Sequence, residues 1–168
     1  GVWRAWWVCG DGVLLGLPSG GAVAASALQI HFPNAPVLPS TGDIPGNTLG
    51  LLLGRYIDGR MHEDIDIINY GPQAVCFNLE IAIRSDFADL FEVKGKKVIR
   101  RGEIKTDWCE AAQQLTTSYR HEDFFRSLKV TASNQRSSMR YGNGRLSFTI
   151  ELERGASGHT CLLYDFAK

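Results

Sequence analysis

From residue 75 to residue 84 the chain alternates without a break. Val75, Phe77, Leu79, Ile81 and Ile83 are apolar, and Cys76, Asn78, Glu80, Ala82 and Arg84 between them are small, polar or charged. A side-chain period of two is the mark of a strand with one face buried, and a helix cannot sustain it. Leu146, Phe148, Ile150 and Leu152 alternate with Arg145, Ser147, Thr149 and Glu151 in the same way. Strands with one apolar face need a second layer to cover it, and that requirement dominates what this chain can become.

The remaining segments are compatible with that demand. Residues 2–9, rich in tryptophan and valine, predict a strand, and Gly10-Asp11-Gly12 turns it back into a shorter strand over 13–17. Residues 21–32 are read as strand, although their alanines also suit a helix. Residues 33–47 hold Pro33, Pro36, Pro39 and Pro45 with Gly42 and Gly46, which predicts a surface loop. Residues 48–57 are apolar in succession, as for a strand covered on both faces, and Asp58-Gly59 closes them with a hairpin turn. A strand over 62–68 and a turn at Asn69-Tyr70-Gly71-Pro72-Gln73 follow. Further on, 96–101 and 103–105 read as exposed, charged strand, 113–119 and 124–132 as two more strands, and 133–138 and 141–144 as turns. A turn over 155–158 precedes a last strand at 160–166. Ten or more short strands predict an all-β fold, a large antiparallel β-sandwich with at most short helical turns, in one domain spanning 1–168.

Charge removes several functions. The 168 residues contain 18 basic and 18 acidic side chains, so there is no one-signed field of the kind that nucleic acid or an anionic membrane selects. No nucleic-acid or membrane partner is expected. No stretch approaches about 18 uninterrupted apolar residues, and Arg4 with the early glycines makes a poor secretory signal, so the expected location is cytoplasmic. Cys9, Cys76, Cys109 and Cys161 are dispersed without a C-x-x-C pair, which predicts free thiols in a reducing compartment rather than a zinc site, with disulfides as the lesser alternative.

Four constellations have residue types that could carry chemistry. Asp86, Asp89 and Glu92 have a spacing that could serve a glycosidase, which needs two carboxylates about 5 to 10 Å apart. The same residues suit a capped corner: Asp86 as N-cap, Asp89 in the first turn, and Phe87, Leu90 and Phe91 on one side at helical spacing. A capped corner is therefore expected here. His62-Glu63-Asp64 and His121-Glu122-Asp123 match no metal-ligand spacing, and a strand would split each triplet between two faces, leaving surface histidines among carboxylates. No G-x-S-x-G elbow occurs, and Gly10-Asp11-Gly12 and Gly142-Asn143-Gly144 lack the strand-to-helix setting of a nucleotide loop. Trp3, Trp7, Trp108 and Tyr141 are the candidates for stacking on a sugar face. Trp6 and Trp7 must lie on opposite faces of a regular strand. No catalytic residue, cofactor or metal is expected.

Three pieces of the chain carry a resemblance to a known family. They are the segment from Thr48-Leu49 through Arg55-Tyr56 to Asn69-Tyr70-Gly71, the corner Asp86-Phe87-Ala88-Asp89-Leu90-Phe91-Glu92-Val93-Lys94-Gly95, and Arg100-Arg101-Gly102. Together they resemble the N-terminal domain of some glycogen debranching enzymes, the amylo-α-1,6-glucosidase-like family, over about residues 47–166. Asp86, Phe87, Asp89, Leu90, Phe91, Glu92, Gly95 and Arg101 carry the motif in a structural role. The first 46 residues match loosely and lack the family's Asp-Thr-Arg segment, which implies a truncated or divergent start. In such enzymes a supersandwich-like domain precedes an α/α barrel that holds the catalytic carboxylates. The helices of a barrel are absent from this sequence. The resemblance therefore implies a non-catalytic domain whose partners are the α/α-barrel domain of its parent chain and an α-glucan. The alternatives are an autonomous carbohydrate-binding module and a docking or dimerisation domain.

Overall fold

In the computed structural model the described residues are 2–8, 13–14, 19–24, 27–33, 44–85, 87, 102–133 and 138–167; for 2–33, 84 and 85 the description is of the backbone. Thirteen strands follow in order: β1 (Val2–Val8), β2 (Val13–Leu14), β3 (Ser19–Ala24), β4 (Ala27–Pro33), β5 (Leu49–Asp58), β6 (Arg60–Asn69), β7 (Val75–Ser85), β8 (Glu103–Cys109), β9 (Gln114–His121), β10 (Phe124–Ser133), β11 (Arg140–Gly142), β12 (Arg145–Leu152) and β13 (Ser157–Ala167). They form a five-stranded sheet ordered β11-β12-β7-β1-β2 and an eight-stranded sheet ordered β3-β4-β5-β6-β13-β10-β9-β8. Every pairing is antiparallel.

The two sheets share one core, so the fold is the expected all-β sandwich. On β7 the odd residues Phe77, Leu79, Ile81 and Ile83 are buried, and on β12 Leu146, Phe148 and Leu152 are buried beside them in register. The eight-stranded sheet supplies Leu49, Leu51, Leu53, Ile65, Ile67, Leu115, Leu128, Val130, Leu162 and Tyr164 to the same cluster. The alternation read from the sequence is thus the alternation between core and outer face.

Turn chemistry fixes the hairpins. Asn143 and Gly144 have φ of 51° and 74° between the paired Gly142 and Arg145, the doubly left-handed geometry that suits a two-residue hairpin loop. Gly59 turns β5 into β6 with a φ of 68°.

Four expectations change. Residues 21–32 belong to a hairpin of two strands, β3 and β4. Tyr141 lies in the short strand β11 rather than in a turn. β5 is buried on its core side only, because Gly50, Leu52 and Gly54 on the outer side are half-covered. The corner, apart from Phe87, and the strand expected at 96–101 lie outside the described residues. Phe87 has a φ of 51°, in the left-handed region, so a right-handed turn capped by Asp86 does not begin at Phe87.

Candidate functional site

The Arg55-Tyr56 and Asn69-Tyr70-Gly71 pieces lie on the β5–β6 hairpin. Its register sets Arg55 opposite Glu63, and Arg55 Nε donates to Glu63 Oε2 at 2.6 Å. Glu63 is fully buried, and the Tyr164 hydroxyl donates to its other oxygen at 3.3 Å. Glu63 is therefore no surface carboxylate, as the triplet had suggested. It continues the core-facing row of Ile65 and Ile67, and the run Leu51, Leu53, Arg55 across the hairpin was the signal for its partner.

Asn69, also fully buried, occupies the far end of β6. Its amide donates to the carbonyls of Gln73 at 2.8 Å, Glu153 at 3.1 Å and Leu152 at 3.3 Å, and its Oδ1 accepts from Gly71 N at 2.9 Å. Its backbone N–H donates to Ala156 O at 2.9 Å, and its carbonyl accepts from Gly155 N at 3.0 Å. One residue thereby ties together two of the connections that cross between the sheets, β6 to β7 and β12 to β13. The Tyr70 ring, 67% exposed, covers Gly50, where an added Cβ would meet Cε2 at 2.7 Å.

Titratable groups gather on the outer face of β6 and β13. Tyr56 stacks on His62 at 4.5 Å between centroids, and Cys161 Sγ lies 3.9 Å from His62 Nδ1. His159 Nδ1 is 2.6 Å from Asp66 Oδ1, and its Nε2 is 4.0 Å from Asp64 Oδ1. Burial pushes the Cys161 thiol up to about 11, with a hydrogen bond to Asp64 acting in the same direction. A thiol held protonated in this way is no nucleophile at neutral pH. Among the described residues no group of three or more His, Cys, Asp or Glu could hold a metal ion.

The aromatic candidates divide by position. In register Trp7 stands opposite Glu80 and Trp3 opposite Arg84, whereas Trp6 stands opposite buried Ile81. Trp3 and Trp7 thus occupy the outer-face register of the five-stranded sheet. Trp108 and Tyr141 come together at 6.0 Å between rings, one on the edge strand of each sheet and both packed against the core. Trp108 Nε1 donates to Glu110 Oε2 at 2.5 Å. Beside them Met139 N donates to Gln113 Oε1 at 3.1 Å, so this pair of edges is closed by both rings and a hydrogen bond.

Of the motif residues, Asp86, Asp89, Leu90, Phe91, Glu92, Gly95 and Arg101 lie outside the described residues. Phe87 packs against the core and stacks on Tyr119 at 5.9 Å. Gly102 passes so close to β9 that an added Cβ would run into the Arg120 carbonyl oxygen and lie 2.7 Å from Tyr119 Cζ.

Comparison with known proteins gives a match over residues 7–163 to the family model of the N-terminal domain of some glycogen debranching enzymes. The match takes in most of the first 46 residues, whose motifs alone fit loosely. Among solved structures the fold is similar to that of "Putative kojibiose phosphorylase from human microbiome", with a TM-score of 0.54 and 10% identity. That alignment covers 84% of this chain and 18% of the other, so this chain spans less than a fifth of that protein's length. At such identity the likeness is one of fold. No curated protein matches the chain.

Proposed function

Because the chain belongs to the family formed by the N-terminal domains of some glycogen debranching enzymes, we propose that it is the non-catalytic N-terminal domain of an enzyme acting on α-glucan. It forms one domain over residues 1–168, packs on the catalytic domain of its parent chain and helps to shape the entrance for the glucan. The observation that carries this reading is the family match over 7–163, which spans strands of both sheets. The chemistry of the family-like segments agrees with it. Arg55 Nε, the Glu63 carboxylate and the Asn69 amide tie strands and their connections together, as expected of a scaffold. Cysteines dispersed along the sequence without a C-x-x-C pair fit a reducing compartment such as the cytoplasm.

A contribution to glucan contact is supported by the outer-face register of Trp3 and Trp7, with Trp108 and Tyr141 as the remaining candidates. Titrating the chain with maltooligosaccharide while following tryptophan fluorescence tests this part. A saturable change is expected, and an unchanged spectrum removes the glucan role. The main reading is tested by assaying the purified chain for glucose release from a branched α-glucan. No release is expected, and measurable release overturns it.

A further inference from the structure

We propose that the outer face of β5, between Tyr56 and Tyr70, is a binding groove for a short α-glucan chain. The choice of ligand rests on the reading above. The groove itself lies on the eight-stranded sheet, whereas Trp3 and Trp7 belong to the other one.

The two family-like pieces of the β5–β6 hairpin divide their residues between two tasks. Arg55 and Asn69 turn inward to tie strands and connections, while the tyrosine that follows each is exposed, Tyr56 by 38% and Tyr70 by 67%. Gly50, Leu52, Gly54 and Tyr56 share the outer side of β5. Over Gly50 lies the Tyr70 ring, since an added Cβ would meet its Cε2 at 2.7 Å and its Cδ2 and Cζ at 3.6 Å. Over Gly54 the space is open: an added Cβ finds only Asp64 Cβ within 4 Å, at 3.7 Å. From Gly50 to Tyr56 a strand advances about 20 Å. An aromatic ring therefore stands at each end of a low floor made by the glycines and the half-buried Leu52.

Polar residues flank this floor in register. On β6 Asp64 is opposite Gly54 and Asp66 opposite Leu52, and on β4 Gln29 and His31 are opposite the same two positions. His159 of β13 reaches Asp66 Oδ1 with Nδ1 at 2.6 Å and lies 4.0 Å from Asp64 Oδ1 through Nε2. A carboxylate offers about four acceptor sites, so Asp66 keeps capacity for hydroxyl donors beyond this bond. Tyr56 is stacked on His62 with 14° between the planes, which fixes the ring in advance and lowers the ordering cost of binding.

This combination suits a glucan. A sugar ring presents C–H faces to aromatic surfaces and a rim of hydroxyls to acceptors, and the groove has flat rings at its ends with carboxylates along its side. A cationic peptide is disfavoured, because Asp64 and Asp66 are accompanied by His159 and His62 and the groove is not one-signed.

Calorimetric titration of the 168-residue chain with maltohexaose tests the inference, with Tyr56→Ala, Tyr70→Ala, Gly54→Val and Trp7→Phe beside it. Gly54→Val fills the open space with a side chain that suits a strand and touches neither tyrosine, and thermal unfolding checks that each variant is folded. The expected result is severalfold weaker binding in the first three variants, with little change in their unfolding midpoints and little effect of salt. Binding kept by all three and lost in Trp7→Phe overturns the groove while leaving the glucan reading in place on the other sheet. No saturable signal from the unchanged chain overturns both the groove and the glucan contact proposed above. Binding that salt abolishes, with polylysine as the better ligand, overturns the groove in favour of a cationic peptide.

Discussion

Arg55 and Glu63 face each other across the β5–β6 hairpin at 2.6 Å, on the buried side of the sheet, with Glu63 fully enclosed and Arg55 about a quarter exposed. A carboxylate taken out of water is held by a guanidinium that keeps partial access to it, and Tyr164 donates to the second oxygen. This polar node interrupts the apolar row that runs through Ile65 and Ile67.

Removing the cation strands the charge. Arg55→Ala is expected to lower stability by about 3 kcal/mol, the low end for a broken buried pair because Arg55 is not fully enclosed. The double variant Arg55→Leu/Glu63→Leu should recover most of the loss. Urea unfolding midpoints measure both, and a double variant no better than the single one would refute the charge argument.

Asn69→Ala takes away the side-chain donors and the acceptor that tie the β6–β7 connection to the β12–β13 connection. A loss of about 3 kcal/mol is expected, since buried carbonyls are left without their amide partner. Hydrogen exchange should accelerate at Gly71 and at Gly155 to Ala156 before the strands open.

Gly102→Ala should cost about 2 kcal/mol, because the added methyl meets the Arg120 backbone rather than a movable side-chain end. Gly50→Ala meets only the exposed Tyr70 ring, which can swing away, and should be nearly neutral. Thermal unfolding of the two variants side by side provides the comparison.

The Cys161 thiol is held protonated to about pH 11 against an ordinary value of 9.0. The folded state therefore favours the neutral thiol. Its contribution to stability is complete below pH 9 and is lost as pH rises through about 11. Cys161→Ala should flatten the alkaline fall in stability over that window. At pH 8 a thiol reagent should label exposed Cys109 and spare Cys161. Rapid labelling of Cys161 in the folded chain would contradict its burial.

Tyr141→Ala opens the contact with Trp108 and should lower stability by about 2 kcal/mol, less than for a fully buried ring. If Trp7 meets glucan, Trp7→Phe should diminish any sugar-induced fluorescence change, whereas Trp108→Phe should leave it in place.

Periodicity made the strands legible where one face is buried. β7 and β12 were readable because each apolar residue is separated by one that tolerates water. β3 and β4 were merged because small residues over 19–33 give little contrast between faces. The sheet order was not legible, since β12 lies between β7 and β11 through contacts distant in sequence. Glu63 was missed because charge was taken as a sign of the surface, although its place in the row with Ile65 pointed inward. Asn69 was visible as part of a family-like turn, but its role depends on carbonyls about 84 residues away. The left-handed Phe87 was hidden because helical spacing of apolar residues does not report φ.

We propose above that this sandwich belongs to an α-glucan-acting enzyme without performing its chemistry. Glucose release from a branched α-glucan, measured for the isolated 168-residue chain and for the whole encoded polypeptide at equal concentration, tests it most directly. Release is expected from the whole polypeptide and none from the isolated chain. Release by the isolated chain, or none by either, would contradict it.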